Sequence, residues 1–222
     1  GTLQTLLGNS KINFNPITTL QLSESAKCVG VIADEQKNRI FYYVKDDVNF
    51  TDYIFKYDLQ SNQILPLVVD KYRVTVNTSS LTTGSSGTVR TFKISDLGSA
   101  TENITNVRPG MKIIQASFDN GSVNISSANN IRVIQMERVA NTSDFSNSAS
   151  LFNTVSNTSG QIILEAPKAL NLPDRLITGI NVLDDTLFWT DGESEPKYLD
   201  VTCVKTNANG TIHSKYLVKD KD

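Results

Sequence analysis

Val29-Gly-Val-Ile-Ala-Asp34 and Arg39-Ile-Phe-Tyr-Tyr-Val44 are apolar runs that stand a few polar residues apart. The second is aromatic and β-branched, the composition that suits a pleated, packed surface. Tyr53-Ile-Phe-Lys-Tyr-Asp-Leu59 follows with alternation, and Gln63-Ile-Leu-Pro-Leu-Val-Val69 completes the series. The connectors Asp34–Asn38, Lys45–Asp52 and Gln60–Asn62 are short and polar. Four strands joined by hairpins within about 40 residues have the rhythm of one β-propeller blade. Continuous apolar runs in the first two strands predict strands covered on both faces. Pro66 has no backbone N–H, which suits an outer edge strand.

A second unit with the same beat starts at Leu176. Ile177-Thr-Gly-Ile-Asn-Val-Leu183 is its first strand, Asp184-Asp185 the turn, and Thr186-Leu-Phe-Trp-Thr190 the second strand. Lys197-Tyr-Leu-Asp-Val-Thr-Cys-Val204 is the third. Laid over the first unit, Gly179 falls on Gly30 and Leu187-Phe188-Trp189 on Ile40-Phe41-Tyr42, while Tyr198-Leu199-Asp200 approximates Tyr57-Asp58-Leu59. The order and spacing agree, so the two units read as one repeat. Large aromatics on inner strands fill the wedge between neighbouring blades, which assigns Phe41, Tyr42, Phe188 and Trp189 to inter-blade packing.

Between the units, Asn, Ser, Thr and Gly become abundant and aromatics thin out. Short β-like runs continue at Tyr72–Val76, Thr88–Ile94, Met111–Ser117, Ile131–Met136 and Gln161–Glu165. Turn sequences such as Gly84-Ser-Ser-Gly87, Arg108-Pro-Gly110 and Asp119-Asn-Gly121 separate them. About 100 residues with strands at this interval predict a small β-sandwich or barrel. The predicted organisation is therefore a blade over 1–70, an inserted domain over 71–173 and a second blade over 174–222. The whole is all-β, and Ser143–Ser156 reads as polar loop. A closed propeller needs at least about four blades, so the rest of the ring is expected in further sequence or on partner chains. The start at Gly1 and the Lys-Asp-Lys-Asp222 end favour a piece of a longer polypeptide.

Composition narrows the function classes. The 222 residues carry 21 Lys and Arg against 23 Asp and Glu, a net charge of −2, with no basic excess to hold nucleic acid. No apolar run approaches the roughly 20 residues of a membrane span. Cys28 and Cys203 read as reduced core cysteines, or as a pair if their strands are neighbours. The seven Asn-x-Ser/Thr sequons, at Asn49, Asn77, Asn103, Asn124, Asn141, Asn157 and Asn209, follow from heavy use of those residues.

Catalytic patterns are sparse. The sole histidine, His213, sits among polar residues without a nucleophile or an orienting acid beside it. Asp184, Asp185, Asp191, Glu193 and Glu195 cluster, as an acid–nucleophile pair or a set of calcium ligands would. They fall mostly in turns, where acidic residues serve solubility and capping. Ser117-x-Asp119-x-Gly121 begins like an aspartate box, yet Asn124 stands where that box carries Trp. No enzyme, cofactor or metal site is expected from these patterns.

Leu187-Phe-Trp-Thr-Asp191 resembles the Tyr-Trp-Thr-Asp repeats of lipoprotein-receptor propellers, but the cysteine-rich neighbours of those modules are missing. A longer stretch, Leu176-Ile-Thr-Gly-Ile-Asn-Val-Leu-Asp-Asp-x-Leu-Phe-Trp-Thr-Asp-Gly-x-x-Glu-Pro-Lys197, resembles a signature of large virion structural proteins of crAss-like and related tailed bacteriophages. Lys27-Cys-Val-Gly-Val-Ile-Ala-Asp-x-x-x-Asn-Arg-Ile-Phe-Tyr-Tyr-Val44 resembles the opening blade of the same group, and Tyr198 departs from it by standing where a second basic residue is usual. The resemblance implies a propeller-bearing component of the tail or neck, without cofactors, assembled with other virion subunits as a symmetric oligomer or ring in the phage particle. The other expectation is a carbohydrate-binding adhesin for a host receptor glycan. It would be carried by Tyr72, Phe92, Phe118, Phe145 and Phe152 of the inserted domain.

Overall fold

Asp34, Asp46 and Asp58 stand 12 residues apart, and each is the last residue of a strand. Each aspartate accepts the backbone N–H three residues on: Lys37 at 3.3 Å, Asn49 at 3.1 Å and Ser61 at 2.9 Å. The next residue is left-handed in all three turns, at Asn38, Phe50 and Asn62 with φ of 50°, 52° and 54°. Asparagine tolerates that conformation because its short side chain adds little clash, whereas Phe50 adopts it against its steric preference. One turn used three times fixes β1 (Lys27–Asp34), β2 (Arg39–Asp46), β3 (Thr51–Asp58) and β4 (Gln63–Lys71) as an antiparallel meander in the order β1-β2-β3-β4.

The computed structural model describes residues 22–83, 89–94, 110–118, 121–123, 133–139, 142–148 and 160–202, with side chains for 22–75, 110–117 and 161–202. Among them there is no helix, and so none long and apolar enough to cross a membrane. The chain divides into two compact units, Gly1–Asp70 with Leu170–Asp222, and Lys71–Ala169.

The first unit holds the β1–β4 sheet and a three-stranded sheet of β12 (Gly179–Leu183), β13 (Thr186–Thr190) and β14 (Lys197–Asp200). One cluster joins them, with Val29, Phe41, Tyr43, Ile54 and Val68 from the first sheet and Leu187, Trp189 and Leu199 from the second. Leu170 and Leu172 belong to the same cluster, so the chain returns to this unit earlier than the expected 174. Burying side chains of this size contributes roughly 1.5–3 kcal/mol each.

Asp70 continues the 12-residue series after Asp58, but no turn of the same kind follows it. Its buried carboxylate accepts the N–H of Leu170 at 2.8 Å, and buried Asp52 accepts that of Leu172 at 2.9 Å. The position where the chain leaves the first unit is thus bonded to the position where it comes back.

The described strands of the second unit form one seven-stranded antiparallel sheet, and among the described residues there is no closed barrel. It comprises β5 (Arg73–Thr83), β6 (Val89–Ile94), β7 (Lys112–Phe118), β8 (Gly121–Val123), β9 (Val133–Val139), β10 (Thr142–Ser148) and β11 (Gly160–Glu165). Their order is β8-β7-β11-β5-β6-β10-β9. The first and last strands, β5 and β11, pair with each other, and Arg73 and Glu165 bridge across them at 2.6 Å. The expected polar loop at 143 is instead β10, whose backbone pairs with β6 and β9. Two flanking strands supply ladder partners that override the weak β-propensity of Ser, Asp and Asn.

Candidate functional site

Both sheets of the first unit carry the same cross-strand register. In the first sheet Gly30 pairs with Tyr43, Val31 with Tyr42 and Ile32 with Phe41. In the second, Gly179 pairs with Thr190, Ile180 with Trp189 and Asn181 with Phe188. The third strand departs from the expected overlay by one residue. Phe41 faces Lys56 and Phe188 faces Tyr198, which makes Leu199 the counterpart of Tyr57.

Equivalent residues nevertheless look in opposite directions. Phe41 and Tyr43 are fully buried against the second sheet, but their counterparts Phe188 and Thr190 are exposed. It is Leu187 and Trp189 that turn towards the first sheet. The strand period of two forbids neighbours from sharing a face, so only half of the four aromatics assigned to packing reach the shared core. Phe41 and Trp189 lie in it, Tyr42 packs on the outer face of its sheet beside Val44, Tyr53, Phe55 and Val69, and Phe188 is 42% exposed. Trp189 meets Tyr43 edge-on with ring centroids 5.4 Å apart, a favourable quadrupole arrangement. The Tyr43 hydroxyl and the Trp189 indole N–H are buried there with no partner among the described residues. Burial pushes the Tyr43 phenol well above its usual range and that of Tyr53 up to about 12.

Gly30 leaves room for this contact. A Cβ at Gly30 would stand 2.6 Å from Cδ1 of Ile180, which fills the space over the glycine. Beside it the backbone N–H of Ile177 donates to Val29 O at 2.7 Å, which ties the segment leading into β12 to β1.

A set of ions clamps the turns. Arg39, largely buried, donates to Asp34 at 2.7 Å, to the Asp184 carbonyl at 2.9 Å and to Asp185 at 2.8 Å, while Lys37 reaches Asp185 at 2.6 Å. Those bonds, Lys37 first and Arg39 next, hold the Asp185 carboxyl below its usual range. Asp191 is held well below it by the Ser194 hydroxyl and N–H and the Glu193 N–H, and it also pairs with Lys197 at 3.2 Å. Glu193 pairs with Arg175 at 3.1 Å. Asp185, Asp191 and Glu193 of the acidic cluster are thus each held by separate cations. Among the described residues no three His, Cys, Asp or Glu are placed to hold a metal ion.

Other expectations fall as follows. Cys28 is exposed rather than in the core, on the outer side of an irregularity between Cys28 and Gly30 in the β1–β2 pairing. The Asn49 amide donates to Asp46 at 2.9 Å. Tyr72 is buried with the Lys168 ammonium 4.1 Å above its ring, so it offers no free stacking face. Cys203, His213, Asp119, Asn124 and Phe152 lie outside the described residues, as do the sequons at Asn103, Asn124, Asn141, Asn157 and Asn209. The side chains of Phe92, Phe118 and Phe145 are likewise not described. The periodic aspartates went unread in the sequence; their constant interval was the available signal. No family model, no curated protein and no solved structure matches the chain.

Proposed function

We propose that this chain is a non-catalytic structural subunit of a bacteriophage particle, made in the bacterial cytoplasm and placed in the tail or neck. In this reading the two sheets of the first unit are neighbouring propeller blades, and Lys71–Ala169 is a domain inserted after the outer strand of the first. The observation that carries the blade reading is the opposite facing of equivalent residues. Two sheets related by a two-fold, as in a symmetric sandwich, would pack the same face on both sides. Successive blades instead pack the front of one on the back of the next, which is the relation of Phe41 to Phe188 and of Tyr42 to Trp189. The inserted-domain reading is supported by the Asp70–Leu170 bond and by the pairing of β5 with β11.

The phage assignment rests on the resemblance of Leu176–Lys197 and Lys27–Val44 to virion proteins of crAss-like phages. Its partners are other virion subunits, met through sheet edges and blade faces. Immunogold labelling of purified phage particles with antibody to this chain, followed by cryo-electron microscopy, tests it. Label in regular copies at the tail or neck is the expected result. A chain absent from particles, or one that cleaves members of a glycan panel, would overturn it.

A further inference from the structure

We infer that the outer face of the first sheet, the face turned away from β12–β14, is the docking surface for the chain's own N-terminal segment, residues 1–21. Val44, Tyr53, Phe55 and Val69 form a cluster on that face, with Tyr42, Ile64 and Ala26 packed against it. Phe55 is 1% exposed and Tyr53 and Val69 are 3% each, and the two rings stack with centroids 5.2 Å apart. Every described member except Ala26 belongs to β2, β3 or β4. A single sheet does not hide its own face, because side chains stand up from it and need a second layer about 10 Å away. The cover therefore comes from chain outside β1–β4.

Place, length and composition single out residues 1–21 as that cover. Gly1–Asp70 belongs to the compact unit that holds this sheet, whereas Lys71–Ala169 forms the other unit. The chain approaches β1 along the rim of the cluster. Ala26 packs against it, and Ser23 donates from its N–H at 2.8 Å and from its hydroxyl at 2.7 Å to buried Asp46, two residues past Val44. The C-terminal stretch leaves instead from β14, in the other sheet. Ahead of Ser23 stand Leu6, Leu7, Ile12, Phe14, Ile17 and Leu20, apolar side chains of the kind the cluster takes. Extended, such a segment reaches about 70 Å, and a four-stranded face of this strand length measures only about 15 by 26 Å. The inference deepens the structural-subunit reading, since a face taken by the chain's own segment is closed to neighbouring subunits and assembly contacts fall elsewhere.

Photo-crosslinking on the full 24.4 kDa chain tests this. With p-benzoylphenylalanine in place of Phe14, irradiation should join position 14 to peptides of 39–71 within one copy. Crosslinks to 71–169, to 170–202 or to another copy, or none at all, would overturn the inference. Hydroxyl-radical footprinting then compares the full chain with one lacking residues 1–21. Labelling of Tyr53 and Phe55 should rise about tenfold as their face opens to water, while Phe41 and Trp189 stay protected. A synthetic peptide of residues 1–21 should restore the protection. In the full chain Phe14→Asp should raise the same labelling by a smaller factor, and Phe14→Leu should leave it unchanged. Tyr53 and Phe55 that stay protected without residues 1–21 would overturn the inference. The crosslink and Phe14→Asp are read on the full chain, so they decide the matter even where the shortened chain does not fold. A crosslink to the sheet without label on virions would defeat the functional proposal and leave this docking standing.

Discussion

The two sheets of the first unit share a register, a glycine and a central aromatic pair, yet they are covered differently. In the first sheet β2 and β3 carry buried residues on both faces, in the shared core on one and in the Val44, Tyr53, Phe55 and Val69 cluster on the other. In the second, β12 and β13 alternate between covered and open positions. A repeat therefore conveys strand positions and cross-strand neighbours, while the burial of each face depends on what stands next to it. The same aromatic position is core in one sheet and surface in the other.

Truncation should break the comparison most sharply. Phe41→Ala removes a fully buried ring and should cost about 3–5 kcal/mol. Phe188→Ala should stay within about 0.5 kcal/mol for monomeric protein, as exposed positions do. Urea unfolding of both variants under dilute conditions measures the difference, and equal losses would mean that the two faces are equally packed.

A smaller effect is expected where the chain leaves and rejoins the unit. Asp70→Ala leaves the buried Leu170 N–H without its acceptor, at a cost of about 1–3 kcal/mol. Hydrogen exchange should then quicken at Leu170, while the amide protons of β12–β13 remain protected.

The smallest effect is on the alkaline side. The raised phenols of Tyr43 and Tyr53 stabilise the fold fully below the unfolded tyrosine value of about 10, and that contribution is lost as pH rises through their folded values. Unfolding midpoints should hold up to about pH 10 and fall beyond it. Tyr43→Phe, which deletes a buried hydroxyl that has no partner among the described residues, should be neutral or slightly stabilising and should soften that fall.

Much of the strand layout was legible. The runs at Val29, Arg39, Tyr53 and Gln63 became β1–β4 because polar turn residues bounded them and β-branched or aromatic residues filled them. β10 was not legible, since Thr142–Ser148 has no such composition and is a strand by virtue of its neighbours. Cys28 was misplaced because cysteine's general preference for burial says nothing of a local irregularity in pairing. Phe41, Tyr42, Phe188 and Trp189 stand out in the sequence as a group, but adjacent residues on a strand face opposite ways, and composition does not say which way is inward.

By itself the sequence determined the all-β class, the repeated strand pattern and the turns, because these depend on residues within a few positions of one another. Only the tertiary structure decided which faces meet. The fit of Ile180 over Gly30, the burial of Trp189 against Tyr43 and the bond from Leu170 to Asp70 join residues about 100 or more positions apart. Such contacts are set by loop closure and packing across the whole unit, and no local pattern encodes them.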